Sequence, residues 1–255
     1  GCVNDATDWA GVLAERGFKV ASLLDDQATK AAMLKAMGEL IAKASKGDTL
    51  VITFSGHGTY QPDTDGDEVD GLDEALCPYD LQTKGEALTD DEIRNLFLTR
   101  KAGVRIVLIS DSCHSGTVTR AAKAEKDADS RPRFMPMGNW LPDKLLPRNR
   151  AGKVATTMTG PAGTTPFFGA YSNKLGDLLL SGCKEGPNNF SYDARIKGRF
   201  NGAFTYYALK ALKSMKPGAN YADWHKAIAK YLPSASYPQS PQIVGSATAR
   251  KGKIF

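Results

Sequence analysis

A cysteine becomes a useful nucleophile when a base stands beside it. This chain carries a cysteine and a histidine in two short motifs suited to that pairing, Ser55-Gly56-His57-Gly58 and Asp111-Ser112-Cys113-His114-Ser115-Gly116. The attacking species is the thiolate, so a free thiol's pKa of about 8.5 has to be overcome by a base, a positive neighbour or a helix terminus. His57 fits the role of base and could then protonate a leaving amine. Glycines flank His57 on both sides and Gly116 follows the cysteine, so backbone can approach a substrate closely and present unencumbered N–H groups. The amides of Gly58 and Cys113 are the expected oxyanion hole, each such donor being worth about 3 to 4 kcal/mol in a transition state. His114 is a rival base, but neighbours along an extended segment point in opposite directions, which disfavours it.

Each motif directly follows an aliphatic run, TLVITF over Thr49 to Phe54 and VRIVLI over Val104 to Ile109. Such runs predict central parallel strands, and reactive groups in open α/β sheets collect at the carboxyl ends of those strands. The elements around them follow from local signals. Helical spacing runs from Asp5 to Arg16 and stops at Gly17, a strand is expected over Phe18 to Leu24, and a second helix over Thr29 to Ala44. Thr89, with Glu92 reaching back, caps a helix running to about Arg100. A strand over Leu175 to Ser181, helices over Ala203 to Met215 and Tyr221 to Leu232, and a short strand at Gln242 to Gly245 complete the pattern. Alternation of this kind predicts an α/β fold with a mostly parallel central sheet flanked by helices on both faces.

With 255 residues, 42% of them hydrophobic, the chain can bury a sizeable core and reads most simply as one domain. No apolar run approaches the roughly 18 residues of a spanning helix, and nothing resembles a secretory signal, so a soluble protein is expected. Cys2, Cys77, Cys113 and Cys183 lie far apart with no CxxC pair, which argues against a disulfide framework or structural zinc and fits a reducing, cytoplasmic setting. Cys77, Cys183 and His225 read as packing residues.

The net charge of +5 is unevenly spread, acidic between Asp63 and Glu92 and basic from Arg120 to Lys153. From Thr117 to about Thr165 periodicity gives way to Pro, Arg and Lys, including Arg131-Pro132-Arg133 and Leu146-Pro147-Arg148. Only Phe134 and Trp140 interleave aromatic residues there, so a solvated, mobile loop is expected rather than a nucleic-acid surface. Asp63, Asp65, Asp67 and Glu74 carry the spacing of an EF-hand loop, but Glu68 stands where that loop needs Gly and no convincing helix precedes it.

Together, SGHG and DSCHSG, the opening GCVNDA, the intervening GDEVDGLDEALCPYD, and NGAFTYYALKAL and YPQSPQ near the end make the chain resemble the metacaspases and their bacterial caspase-like relatives, which are cysteine peptidases. His57 precedes Cys113 by 56 residues, comparable with the interval of about 50 in caspases. The resemblance implies a caspase-like fold, with a large catalytic portion over about residues 1–120, the basic loop over 121–165 and a small portion over 166–255. It implies endopeptidase cleavage after Arg or Lys, through a thioester on Cys113 with His57 as acid and base. By the same resemblance the pocket for the P1 side chain is Cys2, Asp5, Ser55 and Asp111, and carboxylates there suit a guanidinium or ammonium.

An enzyme of that specificity could also cut itself within the basic loop, where several bonds qualify. The chemistry requires no cofactor, but many relatives need calcium, and Asp73, Asp90 and Asp91 match their ligands. Arg120 stands where a fourth acidic residue is expected. The apolar strand that precedes GCVNDA in the family lies outside this sequence. The expected partners are proteins or peptides with Arg or Lys at P1, with no nucleic acid or membrane, and the expected form is a monomer. Two competing readings keep the same fold: a catalytically silent binding module, and a calcium sensor that works through the acidic loops.

Overall fold

A computed structural model describes residues 1–64, 66, 71–113, 129–147, 177–184 and 190–255. At its centre lies a four-stranded sheet built from β1 (Thr49–Ser55), β5 (Arg105–Asp111), β7 (Leu178–Ser181) and β10 (Gln242–Val244), in that spatial order. β1, β5 and β7 run parallel and β10 pairs antiparallel with β7, so the expected mostly parallel sheet carries one reversed edge strand. Residues 106–109 of β5 are buried on both faces, which is why the sequence there reads as a continuous apolar run rather than an alternation.

Alternate residues of the strands feed two separate cores. Val107, Ile109, Leu178 and Leu180 pack with Trp9, Phe204, Leu212 and Trp224 of α1 (Cys2–Glu15), α5 (Ala203–Lys213) and α6 (Tyr221–Ile228). Ile106, Leu108 and Leu179 face the other way, against Met37 and Ile41 of α2 (Lys30–Lys43) and Ile93 and Phe97 of α4 (Asp90–Leu98). A period of two in the strands against a period of 3.6 in the helices is sufficient to cover both faces. No helix among the described residues is long and apolar enough to cross a membrane.

The caps fall where local chemistry puts them. Thr89 accepts from the Glu92 amide and Glu92 returns a bond to the Thr89 N–H, the reciprocal box that starts α4. Gly17, at φ +86°, lets the Gly17 and Phe18 amides turn back onto the Ala14 and Leu13 carbonyls and end α1.

Two expectations change. Phe18 to Leu24 is not a strand: with no neighbouring strand to pair with among the described residues, its β-branched and aromatic content has no ladder to join, and Val20 and Leu23 remain exposed. The part of the basic stretch described, residues 129–147, is not a solvated mobile loop. It forms β6 (Ser130–Pro132), which pairs antiparallel with β8 (Tyr192–Ile196) and so joins the sheet β6-β8-β9 with β9 (Arg199–Gly202). Two short 3-10 turns follow, Met137–Asn139 and Asp143–Leu145. Phe134, Met137 and Leu146 are buried with Tyr60, Cys113, Cys183 and Phe190, and Trp140 donates its indole N–H to Thr59. Prolines and charges hide this segment from a periodicity argument, because its burial depends on partners far away in the chain.

A third small sheet, β2 (Gly58–Pro62), β3 (Leu72–Leu76) and β4 (Leu88–Thr89), extends from the end of β1. α3 (Leu81–Lys84) sits between β3 and β4, and α7 (Ala247–Arg250) follows β10 near the end of the chain.

Candidate active site

Parallel pairing of β1 with β5 sets Ser55 opposite Asp111, so both motifs leave the sheet at the same end. His57 lies two residues past β1 and stays exposed, while Cys113 lies two residues past β5 and is fully buried. The amides of Gly58 and Cys113 converge: both donate to one carbonyl oxygen, at 3.0 and 3.1 Å. That arrangement is what an oxyanion hole requires, and the carbonyl belongs to Arg133.

Behind this carbonyl lies an acidic pocket that the Arg133 side chain fills. Its guanidinium is fully buried, with Nη2 at 2.6 Å from Asp5 and 3.1 Å from Asp193, and Nη1 at 3.1 Å from the Asp111 carbonyl and 3.5 Å from the Asp111 carboxylate. The carboxylates are held in turn. Asp5 accepts from Asn201 and from the Gly202 amide, and Asp111 accepts from the Ser191 hydroxyl and the Thr205 amide. A buried ion cluster is tolerable only when its remaining lone pairs are satisfied in this way. Gly202 is necessary to the packing, since a Cβ there would fall 2.1 Å from Asp111 Oδ2 and 2.6 Å from Arg133 Nη1.

Electrostatics follow from this burial. Loss of water pushes the Asp5 carboxyl up to about 6, Arg133 pulls it back and Asp111 adds to the rise. Burial opposes the charge on Arg133, but Asp111 and Asp5 outweigh it and hold the guanidinium protonated. The Cys2 thiol is pushed up by burial and drawn down by Arg133. His57 keeps an exposed edge, yet the crowding of protein around its ring lowers its pKa, and the charge of Arg133 lowers it further. A neutral imidazole of this kind is suited to take a thiol proton.

Of the residues that sequence singles out, Asp5 and Asp111 meet in the pocket, with Cys2 close enough to feel the Arg133 charge, and Gly58 and Cys113 meet at the carbonyl. Ser55 lies beside them at the end of β1, its buried hydroxyl making no hydrogen bond among the described residues. Four contributors were not legible in this role: Arg133, Asp193, Gly202 and Cys183. Asn201-Gly202 did signal itself within NGAFTYYALKAL, but only as part of a resemblance. Cys183, read from sequence as packing, places its sulfur 3.2 Å from that of Cys113. Its own pKa is raised, first by the bond to Cys113 and then by burial, so Cys183 keeps its proton and can donate it toward the Cys113 sulfur.

The residues matched to calcium ligands do not gather in this arrangement. Asp91 pairs with Arg94, Gln61 donates to Asp73, and among the described residues no group of three or more His, Cys, Asp or Glu side chains is disposed to hold a metal ion. Asp63 turns back to accept from the Gly66 amide between strands β2 and β3, where an EF-hand would need helices. Asp65, Asp67, Glu68, His114 and Arg120 lie outside the described residues.

Comparison with known proteins agrees with the geometry. Residues 1–122 match the family described as "Metacaspase, peptidase C14 domain". Metacaspase-1B of Aspergillus oryzae is 30% identical, over 95% of this chain and 62% of its own length. Metacaspase-1B of Neosartorya fischeri is 43% identical, over 95% and 64%. The chain thus spans a little under two thirds of these relatives. A crystal structure of a protein from Geobacter sulfurreducens superposes with a TM-score of 0.69 at 34% identity, covering 98% of this chain and 87% of that one. With an α/β caspase-like fold, the chain matches over residues 1–122 the metacaspase domain of peptidase family C14, a family of cysteine peptidases, and over about 95% of its length it is similar to metacaspases.

Proposed function

We propose that this chain is a cysteine endopeptidase that cuts protein or peptide substrates after Arg, and less efficiently after Lys. In this reading Cys113 attacks the carbonyl carbon and His57 first takes the thiol proton, then gives it to the leaving amine. The amides of Gly58 and Cys113 hold the oxyanion, and Asp5, Asp111 and Asp193 receive the P1 side chain, with Cys2 and Ser55 at its edge. The single observation that supports it most strongly is the acidic pocket itself: three carboxylates close on one fully buried guanidinium beside two convergent amides. An aspartate at P1 would meet like charge there, and burying an unpaired charge is prohibitive.

The pocket also separates Arg from Lys. Its acceptors are divided between two guanidinium nitrogens, and a single ammonium cannot reach both sets. One charge-assisted bond is worth about 1.5 to 3 kcal/mol, so Arg should lead Lys by about tenfold or more in kcat/KM. Hydrolysis of fluorogenic peptides ending in Arg, Lys and Asp checks this ordering. Asp cleaved as fast as Arg, or a rate that survives Cys113→Ala, would overturn the proposal.

A further inference from the structure

The guanidinium in the pocket belongs to the chain itself, and the backbone on either side of it lies as a bound peptide would. Before it, β6 pairs with β8, Arg131 opposite Asp193 and Pro132 opposite Tyr192, and the Arg133 amide then donates to the Ser191 carbonyl at 2.7 Å. At Arg133 the side chain enters the acidic pocket and the carbonyl receives the Gly58 and Cys113 amides. After it, Phe134 bridges to Gly58 and stacks on Tyr60, and the Met135 amide donates to the Gly58 carbonyl at 2.8 Å. One extended segment is therefore hydrogen-bonded on both sides of a single peptide bond, as in strand addition by a recognised peptide.

Resting on the peptidase reading above, we infer that residues 130–135 are a substrate carried in cis: the segment blocks the site until the chain cuts its own Arg133–Phe134 bond. Of the many Arg and Lys residues between 120 and 153, the geometry selects one. The Cys113 thiol gives its proton to His57 and its sulfur bonds to the Arg133 carbonyl carbon. The C–N bond to Phe134 breaks as His57 returns the proton to the Phe134 nitrogen. A water from solvent then hydrolyses the Arg133 thioester, leaving a carboxylate on Arg133, an amine on Phe134 and a regenerated thiol. The cut removes the tether through Phe134, so Arg133 is then held only by its side chain in the pocket, by the Gly58 and Cys113 amides and by the pairing of β6, and can leave the site.

The test is intact-mass analysis over time of the purified chain, its Cys113→Ala form and two pocket variants, Arg133→Ala and Arg133→Lys, with Arg-peptide hydrolysis followed in parallel. The wild type should yield fragments ending at Arg133 and beginning at Phe134, and peptide hydrolysis should rise with their appearance after a lag. Cys113→Ala should stay whole. Arg133→Ala should lose that cut and hydrolyse Arg peptides without a lag. Arg133→Lys, which keeps a cation in the pocket should Arg133→Ala fail to fold, should be cut at the same bond about tenfold more slowly. Full peptide hydrolysis from the start with the Arg133–Phe134 bond intact, or a first cut elsewhere, would overturn this inference and leave the peptidase reading standing. Folded wild type and Arg133→Lys that both fail on Arg peptides and on themselves would overturn both.

Discussion

Arg133 controls the charge of the site. While it fills the pocket, two buried carboxylates and a third that is partly exposed share one cation. Without it, Asp5 and Asp111 face each other in a space that disfavours charge, and the Asp5 pKa, already raised to about 6, loses the neighbour that pulls it down. An empty pocket thus holds a proton at pH 6 and somewhat above, and on the proposed reading a cationic P1 residue must expel it to bind. The sign is fixed: the empty pocket holds its proton more tightly than the filled one, so on the proposed reading affinity for Arg substrates strengthens as pH rises above about 6 and levels off at its weakest below it. We expect KM for an Arg peptide to increase severalfold between pH 7 and pH 5. A KM that is flat over that range would contradict the charge assignment. At this scale the sequence displayed the candidate pair plainly, because glycine and serine beside His57 and Cys113 mark strand ends. It concealed Arg133, since one arginine in a basic stretch carries no signal of the carboxylates it meets.

Elements position these residues through a few long-range ties. β5 could be read from its own residues, because a strand buried on both faces is apolar throughout, and β1, only partly buried at the edge of the described sheet, was legible from its β-branched and aromatic run. The same was true of α4, whose capping box is local. Phe18 to Leu24 and β6 were misjudged for opposite reasons: one has strand-forming residues and no partner, the other has a partner in β8 and few strand-forming residues. The start of β7 depends on such a tie. Asp177 accepts from the Ile106 amide and pairs with Arg100 beyond α4, and both side chains are almost fully buried. Removing one member of a buried pair leaves the other's charge uncompensated, at a cost of about 3 to 5 kcal/mol. Arg100→Ala should therefore lower the unfolding free energy obtained from urea titration by an amount in that range, with β7 and the Cys183 that follows it losing their alignment. A loss below about 1 kcal/mol, the value of an exposed pair, would show that the tie is not structural.

Across the whole molecule, the pocket draws on residues that lie far apart in the chain: Asp5 on α1, Asp111 ending β5, Arg133 beyond β6, Asp193 on β8 and Gly202 ending β9. Family resemblance brought the first two together, but only the paired strands bring the others. The fold class was legible because alternating strands and helices leave few ways to cover a sheet. The crossing of segment 130–135 over the site was not, because a three-residue strand has no periodicity to detect. The central claim is that Cys113 is a nucleophile served by a pocket for a basic side chain. Alkylation by peptidyl chloromethyl ketones differing only at P1, Arg against Asp, tests it most directly, with the labelled residue located by peptide mapping. The account predicts modification at Cys113, about 100-fold or more faster with Arg, in line with a charge-assisted pocket. Label confined to Cys2, Cys77 or Cys183, or equal rates with Arg and Asp, would contradict it.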